Sequence, residues 1–186
     1  MALAQVRYDT EDDYYNIPED VRAELINGHL IYNMAAPTST HQLLLMELAG
    51  TIREYIRSRN GKCRVVPAPF AVKLKEERAT IVEPDISVIC DPDKITQKGC
   101  TGAPDWIIEI ISPGNASHDY VTKLNLYAET GVREYWIVDP MKKKIFVYHL
   151  ENSHFDVETY TFEDRIKAGI YDDLEIDFPS FDIPFS

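Results

Sequence analysis

The sequence predicts an α/β fold: a mixed central sheet flanked by helices. Three observations carry this. Short apolar runs rich in β-branched residues recur, such as "DWIIEIIS", "VREYWIVD" and "KIFVYHL", and they are too short for helices. Two longer segments show helical spacing, one before and one after the runs that contain the conspicuous acids. No repeat or low-complexity linker divides the 186 residues, so a single domain over 1–186 is expected.

The elements follow in order. Residues 1–20 are acidic, Tyr-rich and poorly patterned. "RAELINGHLIYNM" reads as two strands around Asn27-Gly28, a strong signal for a two-residue hairpin. "APTSTHQLLLMELAGTIREYIRSRNG" reads as a helix with Ser39 or Thr40 as cap and Gly61 as terminator. Its core face is set by Leu45, Leu48, Ile52, Tyr55 and Ile56. His41 lies seven residues before Leu48, on the same core-facing side.

Strands are expected at "CRVVP", "FAVKL" and "ATIVEPDISVI", with "KEER" as the turn between the last two. Residues 91–104 read as a loop. "DWIIEIIS" is a strand, and "SHDYVTKLNLYAETG" is a helix capped by Ser117 and stopped by Gly131. Three more strands follow, the first two joined at Pro140-Met141-Lys142. The tail "FPSFDIPF" reads as an extended strap.

The hydrophobic (45%) and charged (27%) fractions are those of an ordinary globular protein. No apolar run reaches the ~20 residues that span a bilayer, and no membrane partner is expected. The N-terminus lacks the basic and apolar regions of a signal peptide. Cys63, Cys90 and Cys100 form an odd, scattered set without a CxxC pair, read as small hydrophobes in a reducing compartment. A cytoplasmic location is expected. Lys plus Arg number 19 against 31 Asp plus Glu, for a net charge of −12. That balance argues against a broad basic surface for nucleic acid.

Two acids interrupt apolar strands: Asp85 in "EPDISVI" and Glu109 in "IIEIIS". A buried carboxylate costs several kcal/mol unless something compensates it. If the two strands are neighbours, both carboxylates can converge on one point. Hard oxygen ligands, a backbone carbonyl and waters suit Mg²⁺, and the ion would supply the missing charge. The alternative for Asp85 is a strand-end carboxylate capping nearby amides. For Glu109 it is a buried ion pair, and neither alternative excludes a metal. On the second helix, Asp119, Lys123 and Tyr127 share a face at i, i+4, i+8. Hydropathy sets the apolar stripe over Tyr120, Val121, Leu124 and Ala128, with Lys123 at its edge and Thr122, Asn125 and Glu129 in solvent. Tyr127, Tyr135 and Trp136 read as core.

This pattern resembles the PD-(D/E)XK nuclease superfamily, with its restriction-endonuclease-like fold. Pro84-Asp85 and Glu109-Ile110 match its motif, but position 111 is Ile where lysine is expected. The chain looks like the Uma-type family of restriction endonucleases, a branch that carries the lysine on the following helix. The likeness covers nearly the whole chain through "ELINGHLI", "APTSTHQ", "VEPDISVI", "APDWIIEIISP", "HDYVTKLNLYAETGVREYWIVDP" and "FPSFDIPF".

The resemblance implies a Mg²⁺- or Mn²⁺-dependent endonuclease hydrolysing DNA phosphodiester bonds to a 5′-phosphate and a 3′-hydroxyl. Asp85, Glu109 and the carbonyl of Ile110 would hold the metal, and Lys123 would be catalytic. Glu24 in "ELINGH" and His41 join the set as further candidates, with roles that the resemblance leaves open. Arg57, Arg59, Lys62, Arg64, Lys73 and Lys75 are candidates for a local phosphate patch. A homodimer would suit cutting both strands. The rival reading is a catalytically silent nuclease fold acting as a dimeric interaction module, which the negative charge favours. For His41 the alternative is a satisfied core histidine, and for Lys123 a solvated helix lysine.

Overall fold

The expected strands form, but they sort into two sheets. The computed structural model describes residues 7–18, 20–32, 36–112, 118–151 and 156–183, without the side chains of 118–120. In chain order the elements begin with α1 (Glu11–Tyr15), β1 (Ala23–Ile26), β2 (His29–Tyr32), α2 (Ser39–Ser58), β3 (Arg64–Pro67), β4 (Val72–Lys75), β5 (Thr80–Val82) and β6 (Ile86–Ile89). They continue with β7 (Ile95–Thr96), β8 (Gly99–Thr101), β9 (Trp106–Ile110), α3 (His118–Thr130), β10 (Glu134–Asp139), β11 (Lys144–His149), β12 (Asp156–Thr161), β13 (Arg165–Lys167) and β14 (Glu175–Asp177). One six-stranded sheet runs β2-β1-β5-β4-β8-β7, the other β12-β11-β10-β9-β6-β3. Both are mixed: β9 and β10 are parallel, as are β4 and β8, and the remaining pairs are antiparallel.

The stretch "ATIVEPDISVI" does not form one strand. It breaks at Glu83-Pro84-Asp85, so β5 joins the first sheet and β6 the second. Proline cannot donate to a ladder, which makes Pro84 the natural point of departure. The presumed loop 91–104 contains the small β7–β8 hairpin. Its strands are too short to show periodicity. Here Gly99 has φ +130, and a Cβ on it would stand 2.1 Å from the Ala71 carbonyl oxygen. Only glycine permits that approach.

The Asn27-Gly28 hairpin forms, with both residues at positive φ (51 and 78). Thr38, rather than Ser39 or Thr40, caps α2 by accepting the His41 amide. At the other end Asn60 takes the left-handed position (φ 51), and Gly61 donates to Ile56 O at 2.8 Å. That is a Schellman closure displaced by one residue from the expected terminator. The expected cap at Ser117 lies outside the described residues.

The second sheet lies between two apolar layers. On one face α2 contributes Leu44, Leu45, Leu48, Ile52 and Ile56, packed on Ile86, Val88, Trp106, Ile108, Ile110 and Trp136. The strap residues Phe178, Phe181 and Ile183 close this layer. On the other face Ile107, Ile111, Tyr135 and Ile137 meet α3 through Leu126 and Tyr127, and the first sheet through Ile26, Val72 and Val82. Each fully buried aliphatic chain contributes roughly 1.5–3 kcal/mol by leaving water.

Cys63 and Cys90 form a disulfide, contrary to their reading as unbonded hydrophobes. The register explains it, since Arg64 lies opposite Ile89 and one further step sets Cys63 opposite Cys90. The expectation of a reducing compartment thereby loses its main support. Cys100 is free and buried. Among the described residues no helix is long and apolar enough to cross a membrane.

Candidate active site

The antiparallel register pairs Ile86 with Ile108 and Ser87 with Ile107. Continuing it by one step sets Asp85 opposite Glu109, at the same end of adjacent strands. Because β6 ends at Ile86, the Ile110 amide has no strand partner on that side. The Asp85 side chain takes its place: Oδ2 accepts from Ile110 N at 2.7 Å. Its other oxygen, Oδ1, lies 3.1 Å from His41 Nε2 on the first turn of α2.

Glu109 is engaged from α3. Its Oε1 accepts from Lys123 Nζ at 3.0 Å and from the Tyr127 hydroxyl at 2.9 Å. Lys123 Nζ also lies 3.0 Å from Glu24 Oε1. Glu24 sits on β1 of the first sheet, and the same oxygen accepts the Glu83 amide at 3.0 Å. Six side chains from both sheets and both long helices thus meet where the two sheets part. The Lys123 ammonium points into the acids, while Ile111 is buried in the apolar layer.

The expected orientation of α3 needs correction. Lys123 is central to the buried face, at 6% exposure, together with Leu126 and Tyr127, whereas Val121 is 64% exposed. Hydropathy alone placed the stripe on Val121, because a lysine neutralised by two buried carboxylates counts as polar in any such projection. Tyr127 is core as expected, but its hydroxyl also bonds Glu109. Its spacing of four from Lys123 was the available signal. The side chain of Asp119 lies outside the described residues.

Burial raises the Glu109 pKa to about 7, opposed by Lys123 and reinforced by the charges of Asp85 and Glu24. Burial works against protonating His41, but its hydrogen bond and charge pairing with Asp85 outweigh this and raise its pKa. Burial, then the charge of Glu109, keeps the Tyr127 hydroxyl protonated well above its ordinary range. It is therefore a permanent donor to the carboxylate.

Both modest alternatives drawn from the sequence are also present: Asp85 caps an amide, and Glu109 is ion-paired. Neither uses up the donor set. Among the described residues Glu109 Oε2 takes no hydrogen bond, and three carboxylates face one lysine and one histidine. No described group of three or more His, Cys, Asp or Glu side chains is placed to hold a metal ion. Two carboxylates and a peptide carbonyl, with other positions left to water or substrate, nevertheless fit the sparse protein ligation that Mg²⁺ prefers.

The six basic candidates divide. Lys73 pairs with Glu11 at 2.7 Å, Lys75 with Glu129 at 2.8 Å, and Arg59 with Asp173. Arg57, Lys62 and Arg64 enter no ion pair among the described residues.

Comparisons with known proteins agree with this architecture. The crystal structure titled a "putative nuclease belonging to DUF820", from Anabaena variabilis, superposes with a TM-score of 0.75 at 21% identity, covering 92% of this chain and 96% of that one. At that identity the likeness shows the restriction-endonuclease-like fold. An uncharacterised protein of Synechocystis sp. is 22% identical over 139 residues, covering 74% of this chain and 72% of its own. The family model described as "Putative restriction endonuclease" matches residues 11–177. That match takes in all six converging side chains, and the chain belongs to this nuclease-like family, Uma2.

Proposed function

We propose that this protein is an endonuclease that hydrolyses DNA phosphodiester bonds with the help of Mg²⁺ or Mn²⁺. The observation that carries the reading is the ammonium of Lys123 held between Glu109 and Glu24, beside Asp85 at the end of adjacent strands. Asp85, Glu109 and the carbonyl of Ile110 would hold the ion. When bound, the ion supplies charge neutralisation at the phosphate and a water that is easier to deprotonate.

The chain's own groups do the rest. His41 and the Ile110 amide fix the Asp85 carboxylate. Tyr127 and Lys123 fix Glu109. Lys123 also brings positive charge to the place where the phosphate gains negative charge during attack, the kind of preorganised stabilisation that is strongest in a dry site. Glu24 holds the ammonium in position, which makes it a positioning residue rather than a ligand.

The test is a cleavage assay on plasmid, linear and single-stranded DNA with Mg²⁺ and Mn²⁺, beside Asp85→Ala. Metal-dependent nicking by the wild type alone supports the reading. No cleavage of any substrate, with no calorimetric heat for either metal, sinks it. The rival, a catalytically silent dimeric interaction module, is favoured by the net charge of −12, and it predicts that second outcome.

A further inference from the structure

We propose that Arg53, Arg57 and Arg64, with Lys62, form a second contact for the phosphate backbone of duplex DNA, remote from the reacting centre. The inference rests on the nuclease reading and adds where a substrate of minimum length must lie.

The chain is strongly acidic, and several of its cations are neutralised by neighbours. At the C-terminal end of α2 the pattern reverses. Arg53 and Arg57 are exposed and stand at i, i+4, so their stems rise side by side, about 5–6 Å apart at Cβ. Lys62 and Arg64 follow on the adjoining segment, also exposed. Arg64 is braced: its Nη1 donates to the carbonyls of Lys62 at 2.8 Å and Cys63 at 3.1 Å. None of the four enters an ion pair among the described residues. Glu54 lies beside them on α2, and Asp172 and Asp173 approach the same helix end, where Arg59 pairs with Asp173; with five cations against these three acids the local balance stays positive.

The arginines do not sit on a flat surface. Arg53, Arg57 and Arg64 rim a cleft of about 230 Å³ whose floor is Ile56, Cys63 and Val65. Guanidinium groups around a concave, partly apolar site bind phosphate more strongly than isolated surface lysines do, because they are held in place and offer paired donors. A polyanion with regularly spaced phosphates matches several such groups at once.

Position sets the length of the substrate. His41 opens α2 at the active site and Arg57 lies sixteen residues further on. At ~1.5 Å per residue the two are about 24 Å apart along the helix. That distance equals about seven base-pair steps at ~3.4 Å each. A duplex cut at Asp85 and Glu109 reaches the cleft only if it extends at least that far on one side.

The experiment measures anisotropy of labelled duplexes of about 30 and about eight base pairs in EDTA, across a salt series, with cleavage kinetics in Mg²⁺ alongside. For the variant Arg53→Gln/Arg57→Gln/Arg64→Gln, affinity for the long duplex should fall roughly tenfold or more. The slope of log Kobs against log salt should fall by about 2 to 3, at about 0.9 for each phosphate that the variant no longer neutralises. Cleavage of the short duplex near its centre, which leaves only about four base pairs on either side and so stops short of the cleft, should change little. In cleavage of the long duplex, KM should rise while kcat at saturating DNA is kept. If the triple variant does not fold, Arg57→Gln alone should lower the slope by about 0.9.

Lys142→Gln/Lys143→Gln/Lys144→Gln removes equal charge elsewhere and should leave the long-duplex slope intact. An equal loss in that control would reduce the effect to net charge and overturn the inference. If the wild type binds and cleaves while the arginine variants match it, the second contact is wrong and the nuclease reading stands. If the wild type neither binds nor cleaves, both fall.

Discussion

Without a divalent ion, the folded protein should lose stability as the pH rises from about 4.5 to about 7, and Glu109 should be the main cause. Its pKa moves from an ordinary 4.5 to about 7 because burial disfavours the charged carboxylate, with Asp85 and Glu24 adding repulsion that Lys123 only partly offsets. The folded state therefore holds a proton that the unfolded state has already released. Stability from this group is fully present below pH 4.5 and is lost as the pH rises through about 7. Each pKa unit is worth about 1.4 kcal/mol, so the full displacement is on the order of 3 kcal/mol. That corresponds to about 6 to 12 °C in Tm for a domain of this size. The perturbation is Glu109→Gln, which keeps an acceptor for Lys123 and Tyr127 but cannot titrate. Urea unfolding of both proteins in EDTA from pH 4 to 8 gives the difference curve. His41 and Glu134 also have raised pKa values and slope the same way, but they persist in the variant and largely cancel. Wild type should lose ground to the variant steadily across the window. Parallel curves would refute the reasoning. A wild type that gains on the variant with rising pH would mean that the Lys123 pair outweighs burial.

Adding Mg²⁺ or Mn²⁺ to the wild type at neutral pH should raise Tm, by about 2.7 kcal/mol of stabilisation at 100 times Kd. Asp85→Ala should show no rise, and an equal rise in both would assign the metal to another acidic cluster such as Glu11, Asp12 and Asp13. Lys123→Ala should abolish metal-dependent cleavage. Sequence alone, with Lys123 at a helix edge, gives such a mutant an intact fold. The buried ammonium seen here means that Glu24 and Glu109 lose their counter-charge, at a cost of about 3–5 kcal/mol. A Lys123→Ala melting curve that matches the wild type would show the lysine to be solvated in solution. Tyr127→Phe removes one hydrogen bond to a charged group, worth about 1.5–3 kcal/mol, from Glu109. It should weaken Mn²⁺ binding by calorimetry while the protein remains folded, and unchanged affinity would leave Tyr127 as packing only.

Much of this site was legible because its residues offend local rules. Asp85 and Glu109 are acids in apolar strands, and the strand partners were recognisable from their own composition. The residues on β1 and α2, Glu24 and His41, could be named only through family resemblance, since nothing local marks a short strand's acid or a helix's first-turn histidine as convergent. The burial signal also fails to discriminate. Glu134 interrupts "VREYWIVD" as Glu109 interrupts "DWIIEIIS", yet it serves packing: it accepts from Trp136 Nε1 and the Ile170 amide. The number of sheets was illegible for a different reason. Whether β5 and β6 are one strand or two depends on what pairs with each, and pairing between distant segments leaves no periodic trace. The disulfide was missed likewise, because only the β3–β6 register brings Cys63 beside Cys90.

The relocation of the lysine now has a physical account. Position 111 faces the same side as Glu109, but that side is the apolar layer of Leu126, Tyr127 and Tyr135, where Ile111 is buried. A lysine there would carry its stem through the buried layer between β9 and α3. From α3 the ammonium reaches the carboxylates from outside that layer, and its stem covers apolar surface on the way. The move has a second consequence. An ammonium on α3 also meets Glu24 on β1, so one cation ties the first sheet to the second at the point where the chain crosses between them at Glu83-Pro84-Asp85. The charge proposed to act on phosphate is thus the same charge that holds the two sheets in register at the site.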